Sequence, residues 1–241
     1  MKKIIFCLYL IILLPAIANA QGNSRRVSII PHAGVAFSKL DGNAISVGKK
    51  WKTGFTAGAE VEIPVADRFS IATGADYSLL GTGLKVDNDY KEEAYTAHTD
   101  NAKINVGYIS VPVQLKYYAN KSLAFHVGIE AGFMLFATAH TTTTGIKAMD
   151  IGDGMASTLL WESYKQKNSE DVGDNFRNII WDVPVGLSYE YKNIILNATY
   201  RFEVRKSIHI NNFEGLFNTY TGASTARHHA ILVTLGYRFR L

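Results

Sequence analysis

The stretch Ala230-Ile-Leu-Val-Thr-Leu-Gly-Tyr-Arg-Phe-Arg-Leu241 alternates residue by residue. Ile231, Val233, Leu235, Tyr237, Phe239 and Leu241 fall on one side; Leu232, Thr234, Gly236, Arg238 and Arg240 fall on the other. Successive side chains of a strand point to opposite faces, so period two predicts a strand with one greasy and one polar face. Upstream, Ile194, Leu196, Ala198, Tyr200, Phe202 and Val204 oppose Asn197, Thr199, Arg201, Glu203 and Arg205. Trp181, Val183, Val185, Leu187, Tyr189 and Tyr191 oppose Asp182, Pro184, Gly186, Ser188 and Glu190 in the same way.

Carried back to Val27, the pattern predicts eight strands: roughly 27–40, 51–66, 69–86, 104–119, 122–140, 178–191, 194–207 and 228–241. The one segment with a helical look is Met155 to Lys167, inside a long connection. Each apolar face runs about 9–11 residues, the length of a tilted strand that crosses a membrane. The connections alternate too. They are tiny at Asp67-Arg68, Asn120-Lys121 and Lys192-Asn193, and long at about 41–50, 87–103, 141–177 and 208–227. Short turns on one side and long loops on the other are the layout of an outer-membrane barrel, with the short side in the periplasm. Phe69, Tyr117, Tyr118, Tyr189, Tyr191, Tyr237 and Phe239 gather near the short turns, and Trp51, Tyr77 and Trp181 near the long loops. Aromatic rings favour the two membrane interfaces. In hydrocarbon no backbone N–H or C=O can be left unpaired, so the first strand must bond to the eighth. The expected fold is all-β: an eight-stranded antiparallel transmembrane barrel with a simple meander. A soluble lipocalin-like barrel, greasy inside and charged outside, is the rival that alternation alone leaves open.

Composition agrees with a folded chain. Of 241 residues, 47% are hydrophobic and 19% charged, which excludes long disorder. The net charge is +4, and Lys2 and Lys3 supply half of that surplus, so nucleic acid is not an expected partner. Lys2-Lys3, an apolar run from Ile4 to Leu14, Pro15 and Ala18-Asn19-Ala20 read as a cleaved secretory signal over residues 1–20, leaving 21–241 as the barrel domain. The lone cysteine, Cys7, lies in that leader, so no disulfide or thiol chemistry is expected downstream.

Tyr108-Ile-Ser-Val-Pro-Val-Gln-Leu-Lys-Tyr-Tyr118, Asp182-Val-Pro-Val-Gly-Leu-Ser-Tyr-Glu-Tyr191 and Gly236-Tyr-Arg-Phe-Arg-Leu241 resemble the PorT-like outer-membrane β-barrel family of Bacteroidetes-type bacteria. The resemblance implies an eight-stranded barrel, insertion by the barrel-assembly machinery, and a last strand that acts as the insertion signal. A common form of that signal ends on Phe; here Phe239 stands two residues before Leu241. The family name also points to secretion and gliding, so an accessory role there is a second expectation.

Eight strands make a barrel narrow enough for side chains to fill. The inward list holds Glu60, Glu62, Asp76, Glu130, Asp182, Glu190 and Glu203 against Lys116, Arg201, Arg205, Arg238 and Arg240. An unpaired buried ion costs several kcal/mol, so these groups are expected to interlock as a plug. Stability and register are the plain reading of such a network, and a gated ion conduit the sharper one. Arg201, Arg205 and Arg238 are expected to meet the acids of strand six and, across the lumen, of strand two. Pro112 and Pro184 sit mid-strand and predict local breaks in the ladder.

No chemistry stands out. His32, His98, His126, His140, His209, His228 and His229 are scattered without metal-site spacing, and His228-His229 reads as an interface pair at the outer mouth. Ser224, His228 or His229 and Glu214 are the only candidates for a lipid-ester hydrolase. Acidic loop groups such as Asp87, Asp89, Glu92 and Glu93, Asp150 and Asp153, or Glu170, Asp171 and Asp174 lack a calcium-loop order. The expectation is a non-enzymatic outer-membrane barrel without cofactor or metal. Outer-membrane lipids surround it, and its surface loops serve envelope structure or an unnamed outside partner. A lipid-modifying enzyme is the remaining alternative.

Overall fold

The computed structural model describes residues 26–42, 48–85, 89–92, 95–150, 159–205, 208–210 and 224–241. The expected leader lies outside these residues. Among them, eight strands carry the barrel: β1 (Ser28–Gly42), β2 (Lys52–Ala66), β3 (Phe69–Lys85), β4 (Tyr95–Tyr118), β5 (Leu123–Asp150), β6 (Ile179–Tyr191), β7 (Ile194–Glu203) and β8 (Ser224–Tyr237, continued by Phe239–Arg240). Each pairs antiparallel with its chain neighbour, and β8 returns to β1 from His32↔Gly236 to Gly42↔Ala226. The wall is therefore closed. The short turns fall where the sequence places them; in the two-residue turn Lys192-Asn193, Lys192 takes a left-handed φ of 57°.

The apolar faces point outward. Ile129 is 60% exposed and Leu235 57%, while Glu62, Glu130 and Glu203 are each 1% exposed. Large exposed hydrophobics occur on all eight strands. A soluble protein rarely exposes apolar patches beyond a few hundred Å2, so this inversion needs lipid outside and excludes the lipocalin-like arrangement. Trp51 and Trp181 stand exposed toward the long-loop end, and Tyr117, Tyr189, Tyr191 and Tyr237 toward the short turns.

Three expectations need correction. The strands β4 and β5 run 24 and 28 residues, well past the 9–11 that cross the membrane. Segments read as loop, 95–103 and 141–150, are therefore strand. Residues Leu159–Asp171, all but the last four of which fall in the stretch read as a possible helix, form a further strand paired with the upper half of β5, from Thr138↔Asp171 to Asp150↔Leu159. An isolated helix of that length is marginal in water, whereas β5 offers a full row of unpaired N–H and C=O groups. Thr141–Thr144 lies in that ladder, as its β-branched side chains favour. Finally, β7 ends at Glu203 rather than near 207, because its partner β6 stops pairing at Asp182.

A bulge resets the phase of β5. Gly107 pairs with Phe136 and Tyr108 with Met134, so Leu135 is the extra residue. Leu135 and Phe136 both face outward, and above them Ala137 and Ala139 turn inward, opposite in parity to His126 and Glu130. The two prolines break the ladder on one side only. Pairing of β3 with β4 skips from Thr73↔Val113 to Asp76↔Ser110, and that of β5 with β6 from Val127↔Val185 to Glu130↔Asp182. On their other sides Pro112↔Glu130 and Pro184↔Arg201 hold register. A strand residue's N–H faces one neighbour, so losing it interrupts one ladder. At the break, Thr73 Oγ1 donates to the Pro112 carbonyl at 2.9 Å.

The long-loop half of the lumen is a dry core. Leu40, Leu80, Leu84, Ile104, Val106 and Leu232 pack there against small Ala36, Ala137, Ala139 and Ala230. Val172 and Phe176, flanking the 3-10 turn Gly173–Asn175, fold into the same cluster. Hydrogen bonds from Val172 N to Ala137 O (3.0 Å) and Met134 N to Asn178 O (2.9 Å) pin this connection to β5. At Gly81, φ is +147° and an added Cβ would sit 1.9 Å from the Ile104 carbonyl, while its N–H donates to Ser38 Oγ at 2.8 Å.

Ala137 is 0% exposed, so extra methylenes have nowhere to go. Ala137→Leu is expected to lose about 1–3 kcal/mol by overpacking. Val127→Leu, facing lipid, should change little. Urea unfolding of the barrel from lipid vesicles checks the pair, and equal midpoints would contradict a packed upper lumen.

Candidate functional site

The polar half of the lumen is built by the even-numbered inward positions of β1–β6 and their partners on β7 and β8. Nearest the short turns, Arg238 donates from Nε to Glu190 Oε2 (3.0 Å) and from Nη2 to Glu62 Oε2 (3.1 Å) and the Tyr118 hydroxyl (3.1 Å). Tyr118 in turn donates to Glu62 Oε1, and Lys116 donates to Glu60 and, at 3.3 Å, to Glu62 Oε2. Arg240, about half exposed, reaches the other oxygen of Glu190 at 2.5 Å. Seven side chains thus share one network that ties β2, β4, β6 and β8.

Deeper in, Arg201 forms the second knot. Its Nη2 donates to Asp76 Oδ2 (3.2 Å), and its Nη1 lies 3.0 Å from Glu130 Oε1 and 3.3 Å from Ser78 Oγ. His32 donates from Nε2 to the other oxygen of Asp76 at 2.8 Å. His126 meets Thr199 Oγ1 at 3.0 Å. Gly186 makes room for that ring, since a Cβ there would lie 2.6 Å from its Nε2. The third knot is His228, with Nε2 3.3 Å from Asp182 Oδ2 and Nδ1 3.3 Å from Glu203 Oε2. Its backbone N–H also donates to Glu203 Oε2 at 2.9 Å, and Tyr108 stacks on the ring at 6.0 Å. Above Tyr108 the apolar core begins.

The structure divides the lumen set expected from the sequence. Glu60, Glu62, Glu130, Glu190, Arg201, Glu203 and Arg238 are brought together inside, with Arg240 at the rim. Arg205 is not among them: it lies exposed in a bend after β7 ends. Arg201 also pairs differently from expectation, with acids of β3 and β5 rather than of strands six and two. Three inward groups fall outside the lumen set expected from the sequence, which put Tyr118 in the interface belt, His228 in an interface pair and His32 among the scattered histidines. Tyr118 is inside rather than in the interface belt, and His32 and His228 act as cationic-side partners where Lys and Arg run short. Parity held the signal, because each shares the inward face of its strand.

No catalytic array forms from the described groups. His228 is engaged by two carboxylates and His229 faces the other way, its Nδ1 2.8 Å from the Tyr200 hydroxyl. Glu214 lies outside the described residues, as do Asp87, Glu93 and Asp153. Asp171 caps its own turn by accepting from Gly173 N at 2.9 Å. Among the described residues no group of three or more His, Cys, Asp or Glu is placed to hold a metal ion.

The model of one family, described as outer membrane protein beta-barrel domain, matches residues 19–209. No curated protein matches the chain. Among solved structures, the attachment invasion locus protein Ail of Yersinia pestis is similar at 12% identity over 89% of this chain and 99% of its own, with a TM-score of 0.42. Neisserial surface protein A is similar at 15% identity over 88% and 97%, with a TM-score of 0.43. The outer membrane protein OprG of Pseudomonas aeruginosa is similar at 12% identity over 90% and 98%, with a TM-score of 0.39.

Arg201→Met would leave Asp76 and Glu130 facing each other without their shared cation. Breaking a buried pair in this way is expected to lose about 3–5 kcal/mol, and Glu130→Gln added to it should restore part of that. Arg205→Met should stay within about 0.5 kcal/mol. Urea midpoints of the three folded barrels test the assignment; equal losses at Arg201 and Arg205 would overturn it.

Proposed function

The chain belongs to the outer membrane protein beta-barrel domain family, and from that premise we propose a non-enzymatic outer-membrane barrel with a sealed lumen whose work is done by the sheet it raises outside. The observation that carries this reading is the pair of barriers in series. A solute entering from the short-turn side meets the three ionic knots, then the apolar core capped by Val172 and Phe176. The void beside Lys116 and Glu60 is only about 20 Å3, room for a single water. An ion crossing that path would have to displace interlocked charges and then shed its hydration in an apolar plug.

Above the membrane, β4, the upper half of β5 and Leu159–Asp171 make a continuous sheet, with Asp89–Glu92 added on the β4 side. Its outer strand carries Glu162, Lys165, Lys167, Glu170 and Asp171, charges that discourage indiscriminate edge pairing. A rigid scaffold that lifts a polar sheet above the lipid suits contact with something outside the cell. Within the family, the Val-Pro-Val strands and the Gly-Tyr-Arg-Phe ending support a PorT-like placement. Export through a cleaved leader over residues 1–20 and insertion by the barrel-assembly machinery complete the proposal.

Planar-bilayer recording tests the sealed lumen. The folded wild-type barrel is expected to give no steady open current at moderate voltage. A large, steady current from the purified protein would overturn the reading.

A further inference from the structure

At the short-turn mouth, below the Arg238 knot, the barrel opens into a cavity of about 400 Å3. That size lies in the range of small-ligand pockets. The groups that decide its charge are Arg26, Lys121, Arg238, Arg240, Glu62 and Glu190. Both carboxylates are already committed. Glu62 is held by Lys116, Tyr118 and Arg238, and Glu190 by Arg238 and Arg240. Arg26 and Lys121 have no ion-pair partner among the described residues. Four cations face two anions, so the cavity is left two positive charges in excess.

The elements explain why the excess persists. Arg26 precedes β1 and Lys121 sits in the β4–β5 turn, so they line the cavity from opposite sides of the barrel wall. No acid among the cavity's lining residues remains to neutralise them. A monocarboxylate would offset half of the surplus. A group with two negative charges would offset all of it, and guanidinium groups offer phosphate oxygens paired N–H donors in fork geometry. A phosphomonoester carries about −1.5 to −2 at neutral pH.

We propose that this vestibule binds a dianionic phosphate group presented from the periplasmic side, gripped by Arg26 and Lys121 over a floor made by Arg238 and Arg240. Binding here needs no passage through the barrel. It rests on the outer-membrane orientation and stands apart from the sealed-lumen reading, whose own test is the bilayer recording.

The test uses the full barrel folded in zwitterionic detergent, with inorganic phosphate titrated by calorimetry and acetate as the monoanion comparison. A second arm offers phosphatidic acid in mixed micelles, which separates a lipid-borne phosphate from a free one. Wild type is expected to bind phosphate at least tenfold more tightly than acetate. Arg26→Gln with Lys121→Gln should weaken phosphate binding at least tenfold while the heat-modifiable gel shift of the folded barrel stays unchanged. Tight binding of phosphatidic acid alone would assign the site to a lipid headgroup; tight binding of inorganic phosphate would assign it to a soluble ligand. Undiminished phosphate binding by the double variant, equal affinity for acetate, or no binding in either arm would overturn the proposal.

Discussion

A backbone amide in hydrocarbon has no water to bond, and that single constraint orders this molecule. It forces β1 onto β8, and the closed wall then has an inside and an outside with opposite solvents. Outside, apolar side chains cost nothing to expose. Inside, eight strands leave no wide channel, so every inward residue must pack or pair. The ionic knots and the alanine-lined core are two answers to one requirement, applied to the two ends of the same narrow space. The knots need excellent geometry, because desolvating a charge can cancel what its partner gives back. Arg201, Arg238 and His228 meet that need by each bridging two acids.

Much of this is legible in the sequence. Period two from Ile231 to Leu241 marked the strand and the apolar face of β8, and the alternation of short and long connections, with the aromatic belts and the terminal motif, favoured lipid on that face and a simple meander. The inner-face parity put Glu62, Glu130 and Glu203 in the lumen, where they are buried. What escaped was everything that depends on a break in period. Leu135 looks like one more outward residue in a regular strand, yet as a bulge it turns Ala137 and Ala139 inward and so creates the apolar core. Leu159–Asp171 is too polar to signal a strand alone, and becomes one because β5 stands beside it unpaired. Arg205 fits the inward parity but lies past the last residue of β6 able to hold β7 in register. Which acid meets which base is set by barrel tilt and stagger, and those quantities have no local trace in the chain.

The two halves of the lumen also divide the labour of specificity and stability. Apolar packing tolerates repacking if volume is kept, so the upper core fills its half of the lumen without demanding one arrangement. The knots are exacting. A one-residue slip of any inner strand would carry its charges into lipid, so each buried pair also guards the register of two strands at once. The half-breaks at Pro112 and Pro184 are tolerable in this setting, because each proline keeps an intact ladder on its opposite flank.

The knots are tied between distant parts of the chain, and this sets an order of events. Glu62 and Asp76 emerge early in the sequence, whereas their guanidinium partners Arg238 and Arg201 lie 176 and 125 residues later. Until the final hairpin arrives, a half-built wall holds carboxylates that lack one of their two partners, with Lys116 alone beside Glu62 and His32 alone beside Asp76. Water must therefore keep company with them in the unfinished groove, and be expelled only as β8 docks against β1. Closing the seam and drying the interior are then one step, driven by the same strand.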